Sequence, residues 1–136
     1  MTGSSARPII GVVDDDQRVL ESLETLLESA DYGVRLFSSA RSLLDSAYLP
    51  RIDCLISDID MPVMDGFQLS RAVHAARPGL PVILITGHSE MLNQSPRPEA
   101  DHYRLFKKPF DGQELLAAVG EALRNPRQRR PQPPAR

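Results

Sequence analysis

A chain of 136 residues with a formal charge of −2 has room for one ordinary domain core and loose ends. Residues 124–136 hold five arginines and no acid, which leaves −7 on residues 1–123, and so acidic a body argues against nucleic-acid binding by the folded part. No apolar run is long enough to span a bilayer, residues 1–8 lack the apolar stretch of a signal peptide, and the one cysteine, Cys54, can form no disulfide within the chain. The composition reads as a cytoplasmic domain without a membrane segment.

Residues 1–8 read as a flexible segment. The β-branched run from Ile9 to Val13 does not alternate, as expected of a central parallel strand covered on both faces, and it stops at Asp14-Asp15-Asp16. Val19, Leu20, Leu23, Leu26, Leu27 and Ala30 then recur at helical spacing, with Asp16 as the expected N-cap and Gly33 as the turn that follows. Val34 to Ser38 alternates like an edge strand, and Ser39 can cap a short helix carrying Leu43, Leu44 and Ala47. Cys54-Leu55-Ile56 reads as a buried strand that ends at Asp58, with Cys54 a core thiol. Asp65-Gly66 opens a further helix that Pro78-Gly79 stops, and Pro81 to Thr86 is a fourth buried strand.

A helix is due between Ser89 and Arg104, but Pro96 and Pro98 each remove a backbone donor, so it is expected to be short or disrupted. Leu105 to Lys107 is a short fifth strand. Asp111 with Glu114 resembles a capping box for a last helix carrying Leu115, Leu116, Val119 and Leu123. Residues 9–124 are thus expected to form the domain, and the Arg/Pro-rich residues 125–136 a tail or linker. Strand and helix alternate throughout, which predicts an α/β fold: a five-stranded parallel sheet in the doubly wound, flavodoxin-like order 2-1-3-4-5.

In that order the first and third strands are neighbours, about 4.8 Å apart, so Asp14, Asp15 and Asp58 meet at one edge. Carboxylates this close raise one another's pKa unless a cation intervenes, and Mg²⁺ suits a site with few carboxylates that keeps its waters. Thr86 ends the fourth strand and Lys108 follows the fifth. Three carboxylates, a hydroxyl and an ammonium around an open space suit phosphoryl transfer, in which a metal and a lysine share the charge of the equatorial oxygens while a carboxylate attacks in line. The bland reading, helix cap plus solvated charge, accounts for each residue alone but poorly for all of them at corresponding strand ends.

These residues resemble the response-regulator receiver domain, the phosphoacceptor module of two-component signalling, over Ile9 to about Arg124. Val13-Asp14-Asp15-Asp16 resembles the family's acidic pair, Asp58-Ile59-Asp60-Met61-Pro62 its phosphorylation loop, Thr86-Gly87 its hydroxyl position and Lys108-Pro109-Phe110 its lysine motif. Ile85-Thr86-Gly87-His88 is similar to the branch that acts on nitrogen-fixation genes. The resemblance implies that Asp58 is the phosphoacceptor, and that Asp15, Asp58 and the backbone carbonyl of Asp60 hold Mg²⁺, with Asp14 acting through a water. It further implies that Thr86 and Lys108 bind phosphoryl oxygens, that Gly87 leaves room for entry, and that the Lys108–Pro109 bond is cis.

The implied partners are a histidine kinase or phosphotransfer protein, or a small phosphodonor, and a downstream effector that the sequence does not name, with a homodimer allowed. The implied role is a switch that catalyses its own phosphorylation and hydrolysis, not a turnover enzyme. Asp60 and His88 occupy positions that tune the attack of water in this family.

Two departures stand out. Leu105 replaces the family's usual Tyr or Phe three residues before the lysine, and Ser95-Pro96-Arg97-Pro98 interrupts the expected fourth helix, so coupling at Leu105 and residues 89–104 is expected to be atypical. Two other classes stay open. One is a phosphatase of the haloacid dehalogenase type, whose Asp-x-Asp loop resembles Asp58 to Asp60 but lies on the first strand of its fold. The other is a receiver-like binding module that is never phosphorylated.

Overall fold

The computed structural model describes residues 7–87 and 103–124. Its elements are β1 (Ile9–Val13), α1 (Gln17–Ser29), β2 (Gly33–Phe37), α2 (Ala40–Leu44), β3 (Cys54–Asp58), α3 (Gly66–Ala76), β4 (Val82–Thr86), β5 (Tyr103–Lys107) and α4 (Gly112–Arg124). All strand pairs are parallel, in the order β2-β1-β3-β4-β5. This is the expected doubly wound sheet. The expectation of a short or disrupted helix between β4 and β5 falls on residues 88–102, outside the described residues.

Every residue of β3 and β4 is buried, because successive side chains point to opposite faces and both faces carry helices. On one face Val13, Leu55, Leu84 and Leu105 pack under α2 and α3, which contribute Leu43, Leu69 and Val73. On the other, Ile10, Val12, Ile56, Ile83 and Ile85 meet Leu20, Leu23 and Leu27 of α1 and Leu115 and Val119 of α4. Cys54 is buried in this second layer, where loss of hydration pushes its thiol up to about 12. Each such fully buried Leu or Ile contributes about 1.5–3 kcal/mol, and truncating Leu55 to alanine should cost about 2–5 kcal/mol.

Side-chain caps start the helices just past the strand ends. The Asp16 carboxylate accepts from the Arg18 N–H at 2.9 Å, Asp65 and Gln68 form a reciprocal capping box, as do Ser39 and Ser42, and Asp111 accepts from Gln113 at 2.8 Å. Each cap fixes where the chain leaves the sheet, and therefore where the loops between them lie.

Three details differ from the sequence reading. The left-handed residue after α1 is Asp31, at φ 74°, not Gly33. A short polar side chain tolerates that region, which frees Gly33 to open β2, where its N–H donates to the Pro8 carbonyl at 2.8 Å. The helix after Ser39 ends at Leu44 and leaves Ala47 outside, since Ser46 offers the backbone a local alternative by accepting from the Tyr48 N–H at 3.1 Å. β5 begins at Tyr103 rather than Leu105, because Val82 gives Tyr103 a ladder partner that apolar patterning does not reveal.

Candidate functional site

β1 and β3 part after the pair Val13–Ser57, and the next residue on each strand is an aspartate. Asp14 is held from both sides: its N–H donates to the Phe37 carbonyl at 3.1 Å, and its Oδ1 accepts from the Asp16 N–H at 2.9 Å. Asp15 is exposed, whereas Asp14 and Asp58 are only 3% and 5% exposed. Each of the three offers a carboxylate oxygen within 4.8 Å of the others. Lys108 reaches in from the far side of β4. Its N–H donates to the Thr86 carbonyl at 2.7 Å, its peptide bond to Pro109 is cis, and its Nζ lies 3.1 Å from Asp58 Oδ1 and 3.6 Å from Asp14 Oδ2.

The charges at this rim do not balance. Burial, then the charge of Asp14, pushes Asp58 up to about 6, and Lys108 opposes this only in part. Burial also raises Asp14, against the Asp16 N–H and Lys108, which favour its charged form. Burial alone would lower Lys108, but Asp58 and Asp14 outweigh it and hold its pKa above the ordinary value. Apart from the Lys108 ammonium at ion-pair distance, Asp58 Oδ1 is buried without a directed hydrogen bond among the described residues. Such an atom is costly unless something else engages it. The three carboxylates together could hold a hard cation, which would supply what one lysine does not.

The remaining expected residues sit on the same rim. Thr86 is fully buried and pairs with Lys107, one step beyond the pair Asp58–Ile85. Asp60 is exposed, and its charge adds to the pressure on Asp58. A Cβ added at Gly87 would meet nothing within 4 Å among the described residues. His88 lies outside them.

The family model of the response regulator receiver domain matches residues 10–120. The chain belongs to that family. As a receiver domain it is the module that response regulators of two-component systems share. It is 33% identical to the transcriptional regulatory protein FixJ of Bradyrhizobium diazoefficiens over 115 residues, covering 85% of this chain and 56% of that protein. It is 34% identical to the response regulator protein TodT of Pseudomonas putida over 131 residues, covering 96% and 58%. The chain thus spans little more than half the length of these relatives.

Among solved structures, the signal receiver domain of an HD domain-containing protein from Pseudomonas fluorescens Pf-5 superposes with a TM-score of 0.78 at 32% identity, over 88% of this chain and 97% of that one. The presence of FixJ among the relatives agrees with the branch that Ile85 to His88 resembles. The receiver family and the position of the acidic pair at the end of β1 both tell against the phosphatase alternative.

Two residues of the rim have no role at the site in the sequence pattern alone. Ser57 is wholly buried, and its Oγ donates to the Asp58 carbonyl at 2.9 Å. Gly66 opens α3 so close to the end of β3 that a Cβ there would stand 2.6 Å from the Asp58 carbonyl oxygen and 2.8 Å from the Ile59 Cα. A glycine in the first turn of a helix is a poor helix former, and that was the available sign that backbone approaches backbone here. Ser57 left no such sign, because a serine inside a strand pattern carries no periodic signal.

Proposed function

We propose that Asp58 accepts a phosphoryl group from a histidine kinase, a phosphotransfer protein or a small phosphodonor, and that the acyl phosphate switches the domain between two states. The observation that carries this reading is the buried Asp58 carboxylate, whose Oδ1 lies 3.1 Å from the Lys108 ammonium and which shares its rim with the carboxylates of Asp14 and Asp15. A carboxylate oxygen of Asp58 attacks phosphorus in line. The new P–O bond forms as the bond from phosphorus to the donor's imidazole nitrogen or acetyl oxygen breaks, and the leaving group keeps the electron pair. The Lys108 ammonium shares the charge of the phosphoryl oxygens, and the Thr86 hydroxyl donates to one of them. Attack of water on phosphorus later releases inorganic phosphate and restores the carboxylate.

Asp15, Asp58 and the carbonyl of Asp60 would hold Mg²⁺, with Asp14 acting through a water, and the ion when bound would neutralise charge on the transferring group. Supporting this are the three carboxylate oxygens within 4.8 Å of one another and the upward shift of Asp58 and Asp14, which a divalent cation would reverse. The domain works as a switch, not a turnover enzyme. It acts in the cytoplasm on a downstream effector that the sequence does not name, its acidic folded body binds no nucleic acid, and a homodimer is allowed. Coupling is atypical at Leu105, which packs against the same apolar layer as Tyr103, whose ring meets that of Phe67 at a 56° tilt with centroids 5.7 Å apart.

Intact-mass measurement with acetyl phosphate and Mg²⁺ tests the reading. The wild type should gain one phosphoryl group and Asp58→Asn none. Labelling of the Asn variant, or none of the wild type, would overturn it.

A further inference from the structure

β1 and β3 stay paired only as far as Val13 and Ser57, so the carbonyl of Asp58 projects past the last rung of that ladder. A carbonyl at such a position, beside a carboxylate in need of fixed orientation, requires some other donor. The Ser57 hydroxyl supplies it at 2.9 Å, from a side chain with no exposure to solvent. Its surroundings explain why it does so: in register with Val13 and Leu84, Ser57 faces the apolar layer under α2 and α3. A hydroxyl in that layer must donate to something nearby or remain unsatisfied. The backbone of Gly66 closes on the same oxygen, so that a Cβ there would stand 2.6 Å from it, and the Gly66 N–H donates to the Ile59 carbonyl at 2.9 Å. The Asp58 carbonyl thus meets both a hydrogen bond and a steric stop.

The geometry points to Ser57 as a positioning residue for the proposed phosphoacceptor: by holding the Asp58 carbonyl it fixes the direction in which the carboxylate faces Lys108 and Asp14. This rests on the reading of Asp58 as the phosphoacceptor. Ser57 touches neither the donor nor the phosphoryl group. It acts through the main chain of its neighbour, where small errors in the direction of an attacking atom cost large factors in rate.

The decisive pair of variants is Ser57→Thr and Ser57→Val, which have the same shape and differ in the hydroxyl; both β-branched residues suit a strand. The rate of labelling by acetyl phosphate with Mg²⁺ is followed by intact mass, well below each variant's unfolding midpoint. In the metal-free protein, the carbonyl ¹³C shift of Asp58 reports the hydrogen bond directly. Ser57→Thr should label within about twofold of wild type and keep the shift, whereas Ser57→Val should label roughly tenfold more slowly and lose it.

Equal rates for the Thr and Val variants would overturn the positioning role alone, whether both match wild type or both are slow, since volume and not the hydroxyl would then matter. An unlabelled wild type would overturn the phosphoacceptor reading, and the positioning role with it. Should the Val variant fail to fold, Ser57→Ala takes its place against Ser57→Thr, with the same slow labelling and lost shift expected and a normal rate overturning the role.

Discussion

Strand β3 has an aspartate at each end, and the two meet opposite fates. Asp53, just before the strand, accepts from the Ile9 N–H at 2.8 Å while its own N–H donates to the Ile9 carbonyl at 2.7 Å, so it completes the ladder. Nearby, the Arg77 guanidinium donates to the carbonyls of Leu49 and Ile52 at 2.9 and 2.6 Å, and the left-handed position is taken by Asp31, a residue type that tolerates it. At the other rim the buried Asp58 has only the Lys108 ammonium to offset its charge among the described residues, three carboxylates crowd that lysine, and the left-handed position falls on Val63, a fully exposed β-branched residue at φ 71°. One rim satisfies its polar groups and the other leaves strain and charge in place. Balanced and unbalanced polar groups are separated along a strand of five residues, with the imbalance at the rim of the proposed phosphoacceptor.

The largest expected effect is at Gly66. An alanine there must push on the backbone of Asp58 and Ile59, which should cost about 2–4 kcal/mol in urea denaturation, because neither neighbour is a flexible side chain. Arg77→Ala comes next. It strands two carbonyls at the quiet rim and should lower stability by about 2 kcal/mol while leaving Asp58 labelling by acetyl phosphate unchanged. If labelling falls with it, the two rims are not independent.

Conservative amides at the two aspartates should then move stability in opposite directions. Asp53→Asn weakens a hydrogen bond and should lose about 1 kcal/mol, whereas Asp58→Asn removes a charge that burial disfavours and should gain about 1–3 kcal/mol at pH 8 without metal.

The same cause gives a pH dependence. Asp58 is raised from 3.8 to about 6, so the folded state binds the extra proton across that interval. Stability of the metal-free wild type should therefore fall as pH rises from about 4 to about 6 and then level off. Mg²⁺ should oppose the fall, and Asp58→Asn should flatten it except for the share due to Asp14, which is also raised. Denaturation midpoints across that range, with and without Mg²⁺, check the sign. A rise in stability over the interval would mean that Lys108 outweighs burial.

The smallest effect is at Val63. Glycine there relieves a left-handed β-branched residue but adds chain entropy to the unfolded state, for a net gain of about 1 kcal/mol in the thermal midpoint analysis.

Much of this rim is legible in the sequence. Apolar runs ending in Asp14, Asp58 and Thr86, and a lysine two residues past the apolar Leu105-Phe106, mark strand ends, and parallel topology brings strand ends to one side. What patterning could not supply were the features that depend on distance across the fold. Gly33 looks like the turn glycine in one dimension, yet Asp31 takes the left-handed position and leaves Gly33 to the sheet. Tyr103 reads as loop until β4 provides its partner.

Composition, hydrophobic period and the order of strands and helices were thus enough for the sheet, its strand order and the gathering of Asp14, Asp15, Asp58, Thr86 and Lys108 at one rim, because each is a local property multiplied by a topological rule. Tertiary structure alone decided that Asp58 is buried among carboxylates with only Lys108 to offset them while Asp53 is held by two ladder hydrogen bonds, that Ser57 grips its neighbour's carbonyl, and that no side chain fits at Gly66. These depend on contacts between segments far apart in sequence, or on where the ladder ends, and a strand's own residues do not encode them.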